Sequence, residues 1–221
     1  MRHLNLLTLL PFVLLSASDL SAQACLGLPS FANGAIHLNV GAEFPDSAQV
    51  IAAGVGLGRH NSVFGTVGGG QVTFEGLDGK SKFGFADAGL QLPVGRAQVC
   101  PIIGAALSSG PDDDALGITV KSRSLSGGLA MGLPLALPFG GTNLKLIPNA
   151  AIKYEHATLD VEDELIGSSR ETFTTGIADF GLALVFADRF SIQPLAHIFF
   201  GGDNDETSFG VFASLSFGPR R

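Results

Sequence analysis

The feature that most constrains this chain is a two-residue alternation that recurs along it and is most regular at the C-terminal end. In residues 208–217, Phe209, Val211, Ala213, Leu215 and Phe217 alternate with Ser208, Gly210, Phe212, Ser214 and Ser216. Successive side chains of a strand point to opposite faces, so one face is apolar and the other is small and mostly polar. Residues 34–44 repeat the pattern, with Ile36, Leu38, Val40, Ala42 and Phe44 against His37, Asn39, Gly41 and Glu43. Residues 49–58 set Ile51, Ala53, Val55 and Leu57 against a row of small residues ending in Gly54, Gly56 and Gly58. Further strands are predicted over about 62–74, 83–92, 98–107, 119–133, 144–154, 173–186 and 190–200. That makes about ten strands. Eight is the alternative, if the third strand or the proline-bearing fifth falls short of a full span. The run Gly68-Gly69-Gly70 marks a bulge or bend in the third, and Pro148 calls for a bulge or a locally broken ladder.

The composition of the two faces decides which way they look. A soluble barrel hides its apolar face and shows water the polar one. A core built of glycine and serine would be badly underpacked. With Leu, Ile, Val and Phe turned to lipid and the small polar side filling a narrow lumen, both faces are accounted for. Apolar residues make up 46% of the chain, yet no apolar run after the N-terminal segment is long enough for a spanning helix, so a membrane protein here needs strands. The fold class is all-β: a closed antiparallel up-and-down transmembrane β-barrel. The alternative is a soluble periplasmic β-barrel binding protein.

The N-terminus carries Arg2 and His3, an apolar stretch over 6–15, and then small residues ending in Ala22-Gln23-Ala24. This order reads as a secretory signal peptide over residues 1–24, with cleavage two residues earlier as an alternative, and leaves 25–221 as one barrel domain. Removing it deletes one charge of each sign (Arg2, Asp19), so the net charge stays at −7 and no basic footprint for nucleic acid is present. Cys25 and Cys100 both lie in the exported part, where an oxidising compartment lets them pair. Such a bond closes a loop of about 75 residues, worth about 4 kcal/mol in the chain-entropy model. The rival reading makes Cys25 a lipidated N-terminus.

If the last strand runs towards the periplasm, the connections near Pro45, Gly76, 108–117, 157–171 and 201–206 face outside, and both cysteines fall near the periplasmic rim. The external loops collect the acidic runs Asp112, Asp113, Asp114 and Asp160, Glu162, Asp163, Glu164. They lack the spacing and glycine of a calcium-binding loop and read as a solvated surface, with weak divalent-cation or lipopolysaccharide bridging as the functional rival. His37, Glu43, Asp87, Lys145, Asn149, Lys153, Asp179 and His197 fall on the inward faces, where they are expected to form a lumen polar network; the alternative is a constricted pore for small solutes. His156, beside Glu155 and with Ser168 and Ser169 across the loop, is the only arrangement suggesting hydrolysis, and its spacing does not single out a catalytic triad. No cofactor, metal site or enzymatic activity is expected. Tryptophan is absent and Tyr154 is the only tyrosine, so Phe44, Phe173, Phe186, Phe190, Phe200 and Phe217, near predicted strand ends, are the candidates for an interfacial belt.

A final strand with an apolar stripe finishing on Phe217 resembles the C-terminal signature of bacterial outer-membrane β-barrels, although Gly218, Pro219, Arg220 and Arg221 follow it here. The whole pattern after the signal resembles small outer-membrane barrels of the opacity-protein-like kind, the outer membrane protein β-barrel domain family. That resemblance implies a monomer of the bacterial outer membrane. Its expected partners are outer-membrane lipid, lipopolysaccharide and, through the C-terminal strand, the barrel-assembly machinery. It implies a role in adhesion, envelope integrity or modest transport, with members differing mainly in their external loops.

Overall fold

The computed structural model describes residues 23–29, 36–59, 61–75, 80–110, 118–139, 142–163, 167–201 and 206–218. The strands are β1 (Ile36–Phe44), β2 (Ala48–Gly58), β3 (Val63–Phe74), β4 (Lys80–Leu90), β5 (Leu92–Val94), β6 (Ala97–Ser109), β7 (Ile118–Gly132), β8 (Leu135–Phe139), β9 (Thr142–Asp163), β10 (Gly167–Phe186), β11 (Phe190–Phe200) and β12 (Glu206–Phe217). β5 prolongs β4 against β6, and β8 prolongs β7 against β9, each without a change of register. The twelve strands therefore make ten spans, each antiparallel to its neighbours. β12 pairs with β1 from Ile36↔Phe217 to Phe44↔Phe209, which closes the barrel.

The apolar faces look outward. Ile36, Leu38, Val40, Ile103, Leu125, Phe180, Leu182, Val211 and Leu215 all stand exposed on the outer surface. A soluble sheet would bury these residues, so the soluble alternative does not hold. Aromatic rings mark two edges of this band. Tyr154 and Phe200 meet edge to face with ring centres 6.2 Å apart, on the side of Phe44 and Phe209. Phe186 and Phe190 lie 6.0 Å apart at the opposite rim, the end where β12 finishes on Phe217. Tyr154 pairs with Gly176, and Leu144 pairs with Phe186 ten residues on. Ten residues of strand rise about 33 Å. At a tilt of about 40° that gives a height of about 25 Å, the apolar band of an outer-membrane barrel. Phe173 departs from the expected belt. It pairs with Ala157 above the band, on the other face of the sheet from Tyr154.

Prolines explain where the ladders break. The β4–β6 ladder lapses at Pro101, between the pairs Gly89↔Ile102 and Leu92↔Val99. β7 gives way to β8 opposite Pro148, where the Leu133 amide still donates to the Pro148 carbonyl at 3.0 Å. The β10–β11 ladder skips the residues facing Pro194. Proline has no amide hydrogen to give, so each ladder loses its bonds locally without losing register. The expectation for Pro148 is met. That for Gly68–Gly70 is not: β3 pairs continuously with both neighbours through all three glycines and has no bulge. It is a full span, as is the proline-bearing β6.

A larger correction concerns one end of the lumen. Residues 157–171, expected to be a loop, are mostly strand. β9 and β10 pair without interruption up to Asp163↔Gly167, and β7 flanks β9 from Ile118. Thr158, Val161, Thr172 and Thr174 are β-branched and suit strands, and the acids are matched by bases on adjacent strands. β11 begins to pair with β10 only at Gly176, so β7, β9 and β10 project beyond the rest of the barrel. At the other end lies the N-terminal segment. The leader expected over 1–24 lies mostly outside the described residues, but Gln23 and Ala24, assigned to it, are fully buried. They begin a short segment, 23–29, that turns inside the lumen at Ala24–Leu26. Cleavage after Ala22 would retain both residues. The acidic run 112–114 also lies outside the described residues.

Replacing Leu182 with Arg puts a charge on the lipid face and should cost about 2–4 kcal/mol if it sits near mid-bilayer. Folding into lipid vesicles, followed by the gel shift between unboiled and boiled samples, should show a reduced folded fraction; an unchanged yield would contradict the outward orientation.

Candidate functional site: the lumen

The inward face is less polar than its sequence suggests, because its glycines are covered by phenylalanine rings. A Cβ on Gly68 would sit 2.5 Å from the Phe85 ring, and one on Gly89 would sit 2.5 Å from Phe64. The Phe212 ring lies on Gly41, and Phe83 lies on Gly70. Glycine lets a ring from the neighbouring strand come close to the backbone, in space that a Cβ would otherwise take.

The inner segment occupies the end of the lumen where β12 finishes on Phe217. Cys25 and Cys100 form the expected disulfide, so Cys25 is not a lipid anchor in this structure. Cys25 packs with Phe64, Cys100 and Ala130, and Ala24 packs with Ile147, Ala183 and Val185. The Ala24 amide donates to Gln98 Oε1 at 2.8 Å. The carbonyl of Ala24 lies so close to Gly132 that any side chain there would collide with it. On the far side, Gly27 lies against Gln193 and Asn149, in a left-handed conformation (φ 63°) that glycine adopts freely. The segment thus touches β3, β6, β7, β9, β10 and β11.

Further out, the charged residues form a connected row. Lys153 Nζ lies 2.8 Å from Asp179, and the same carboxylate is 2.7 Å from His197 Nδ1. The other ring nitrogen of His197 faces Glu43 at 3.8 Å, and Glu43 accepts the Ser208 hydroxyl. Asn149 accepts from Gln193 at 3.0 Å. Lys145 stands apart from this row, bonded at 2.7 Å to Asp188 in the β10–β11 turn, which also accepts from Asn143. His37 is fully buried in the β1 wall near Gly56. Asp87 makes no hydrogen bond or ion pair among the described residues and lines a cavity of about 310 Å³ between the inner segment and the charged row. Sequence reasoning placed these eight side chains on one face. It did not foresee Ser208, Gln193 and the phenylalanine rings as their neighbours.

The projecting sheet brings together other groups. Asp160 accepts from Arg170, and Lys121 lies 3.8 Å from Glu162. The hydrogen bond from the Arg170 guanidinium holds the Asp160 carboxyl below the usual carboxylate range. His156 bonds Thr174 at 3.1 Å, whereas Ser168 and Ser169 pair with Glu162 and Val161, far along the strand from it. Those serines and that histidine form no triad. Among the described residues no group of His, Cys, Asp and Glu is arranged to hold a metal ion.

No family model matches the chain, and no curated protein matches it in sequence. Among solved structures it is similar to the translocator domain of the autotransporter NalP from Neisseria meningitidis, with a TM-score of 0.52 at 11% identity, over 87% of this chain and 90% of that one. The fold is that of an outer-membrane β-barrel. Two other barrels of this kind align less closely. The attachment invasion locus protein Ail of Yersinia pestis matches at 12% identity, 84% and 100% coverage and a TM-score of 0.43. The N-terminal β-barrel domain of OprF from Pseudomonas aeruginosa matches at 10% identity, 83% and 98% coverage and a TM-score of 0.38. At these identities the likeness concerns the outer-membrane barrel fold alone; the exposed apolar band independently puts this barrel in a bilayer.

Asp179→Asn should destabilise the barrel by about 2 kcal/mol, between the values for exposed and buried pairs, because Lys153 loses its counter-charge. Adding Lys153→Met should recover part of that loss in urea unfolding from lipid vesicles. Additive losses would mean that the two side chains do not interact. On the projecting sheet the sign is that of a depressed carboxylate. The Asp160–Arg170 pairing persists at neutral pH and fades only as the pH falls below the ordinary aspartate value of about 3.9. Amide protection factors at residues 169–171, corrected for the intrinsic pH dependence of exchange, should fall there in the wild type and stay flat with pH in Asp160→Asn.

Proposed function

We propose that the chain is a closed, non-enzymatic barrel of the bacterial outer membrane, serving as an envelope and surface-interaction component rather than as an open channel. The observation that carries this reading is the segment 23–29, which is bonded to β6 through Cys25–Cys100 and packed against six of the ten spans at the periplasmic end of the lumen. The row of charges from Lys153 to Ser208 narrows the lumen further out. The interacting part is then the projecting sheet of β7, β9 and β10. Its outer face mixes Lys121, Arg123 and Arg170 with Asp160 and Glu162, rather than carrying one sign of charge. It stands above the aromatic edge, at the height of lipopolysaccharide headgroups, which are its expected partners. The barrel-assembly machinery is the expected partner of β12.

Planar-bilayer recording tests the closed state. The wild-type barrel should give no regular conductance steps, and a chain lacking residues 23–29 and carrying Cys100→Ser should give them, provided both show the folded gel shift. Regular steps from the wild type would instead support a narrow pore for small solutes.

A further inference from the structure

We propose that the cavity above the inner segment binds a small organic cation, an ammonium group carried on an apolar body, with Asp87 as its counter-ion. The proposal rests on the closed-barrel reading only for the floor of the cavity, which Leu26, Leu28 and the Cys25 side chain supply.

The charges around the cavity do not balance. Among the described residues Asp87 and Asp179 line it together with Lys153 and His197, Glu43 and Glu155 lie on the same inner face beyond it, and the other inward lysine, Lys145, is paired with Asp188. Lys153 and His197 already lie against Asp179, at 2.8 and 2.7 Å. Glu43 takes the Ser208 hydroxyl. Among the described residues Asp87 is left over, with no hydrogen bond or ion pair and an open approach from the cavity. A Cβ on Gly104 would lie 2.3 Å from Asp87 Oδ1, so glycine at that position is what leaves room for the carboxylate. Asp87 is exposed to the cavity and feels the charge of Lys153 only from beyond ion-pair distance, so a cation entering the cavity would be drawn to its carboxylate.

The surroundings select the kind of cation. Phe85 lies two residues from Asp87 on the same face of β4, with ring atoms close over Gly68. Phe85 and Asp87 line the same cavity, so a cation held at Asp87 has an aromatic ring nearby, and a cation over a ring face gains attraction once water is displaced. Phe64, Phe212 and Ile102 offer apolar wall for the rest of the ligand. A chelated metal ion suits the site poorly, because the described acids and histidines form no ligating group. An anion meets the excess of carboxylates. The volume of about 310 Å³ is at the small end of ligand sites and fits a single-ring amine. The inner segment blocks the periplasmic end, so entry is from the outside.

Calorimetry on the full chain folded in lipid nanodiscs tests this, with empty nanodiscs subtracted for partitioning. The probe is phenethylammonium, with phenylacetate and 2-phenylethanol as controls of matched size. We expect saturable binding of the ammonium only, weakened about tenfold by Asp87→Asn, the scale of one charge-assisted contact. Phe85→Leu should weaken it by a smaller factor. Both variants should keep the folded gel shift. Equal binding of phenylacetate or phenylethanol, an unchanged affinity in Asp87→Asn, or no binding to a folded, non-conducting wild type would each overturn the cation site and leave the closed-barrel reading standing. Conductance by the wild type would remove the closed-barrel reading alone.

Discussion

Within hydrocarbon there is no water to take up a free amide or carbonyl, so every backbone group of a spanning strand needs a partner on a neighbouring strand. Closure of β12 on β1 meets that demand for the sheet as a whole, since it leaves no edge within the band. The three ladder interruptions all lie at prolines, where one amide hydrogen was missing in any case. Register survives each of them. A slip of one residue would turn a whole apolar stripe into the lumen, so the alternation that directs side chains to lipid also fixes the pairing.

The same alternation leaves the lumen with a packing problem. Ten spans enclose more space than serine, alanine and glycine can fill. The barrel meets this in three ways along its axis. Glycine backbones are covered by rings at Phe64, Phe83, Phe85 and Phe212. The middle and outer lumen holds acids and bases paired across strands. At the end where β12 finishes, residues 23–29 of the chain lie inside the lumen. All three are consequences of turning the large aliphatic side chains outward.

How much of this can be read from the sequence depends on whether the cause is local. Strand positions and the facing of Leu182, Val211 and Glu43 follow from a period of two, and that is local. Pro148 signals its ladder gap for the same reason, whereas Pro101 and Pro194 carry an equal signal that is easily passed over inside apolar stretches. The pairing of Phe85 with Gly68 depends on inter-strand register, which no single strand encodes. The extension of β9 to Asp163 was hidden because Asp160 and Glu162 look like loop residues until Arg170 and Lys121 are placed beside them. Gln23 and Ala24 read as the end of a leader because small residues suit a cleavage site; they suit a tight space inside a barrel equally well. The cysteine pair was readable from compartment and count, but its role in holding a segment within the lumen was not.

That role follows from the size of the segment. Ordering a residue costs roughly 1–2 kcal/mol, and seven residues with a handful of small apolar side chains recover little more than that by burial. An untethered segment of this length would exchange between the lumen and solvent. The Cys25–Cys100 bond changes the comparison, because the chain is already at the wall and only the local turn at Ala24–Leu26 has to form. The tether also sets the polarity of the lumen. It holds apolar surface, the disulfide with Leu26 and Leu28, at the inner end and leaves the carboxylates of Glu43, Asp87 and Asp179 further out. A molecule in the cavity between them meets apolar surface on the side of the tether and carboxylates on the other, an arrangement that suits a positively charged amphiphile better than a negatively charged one.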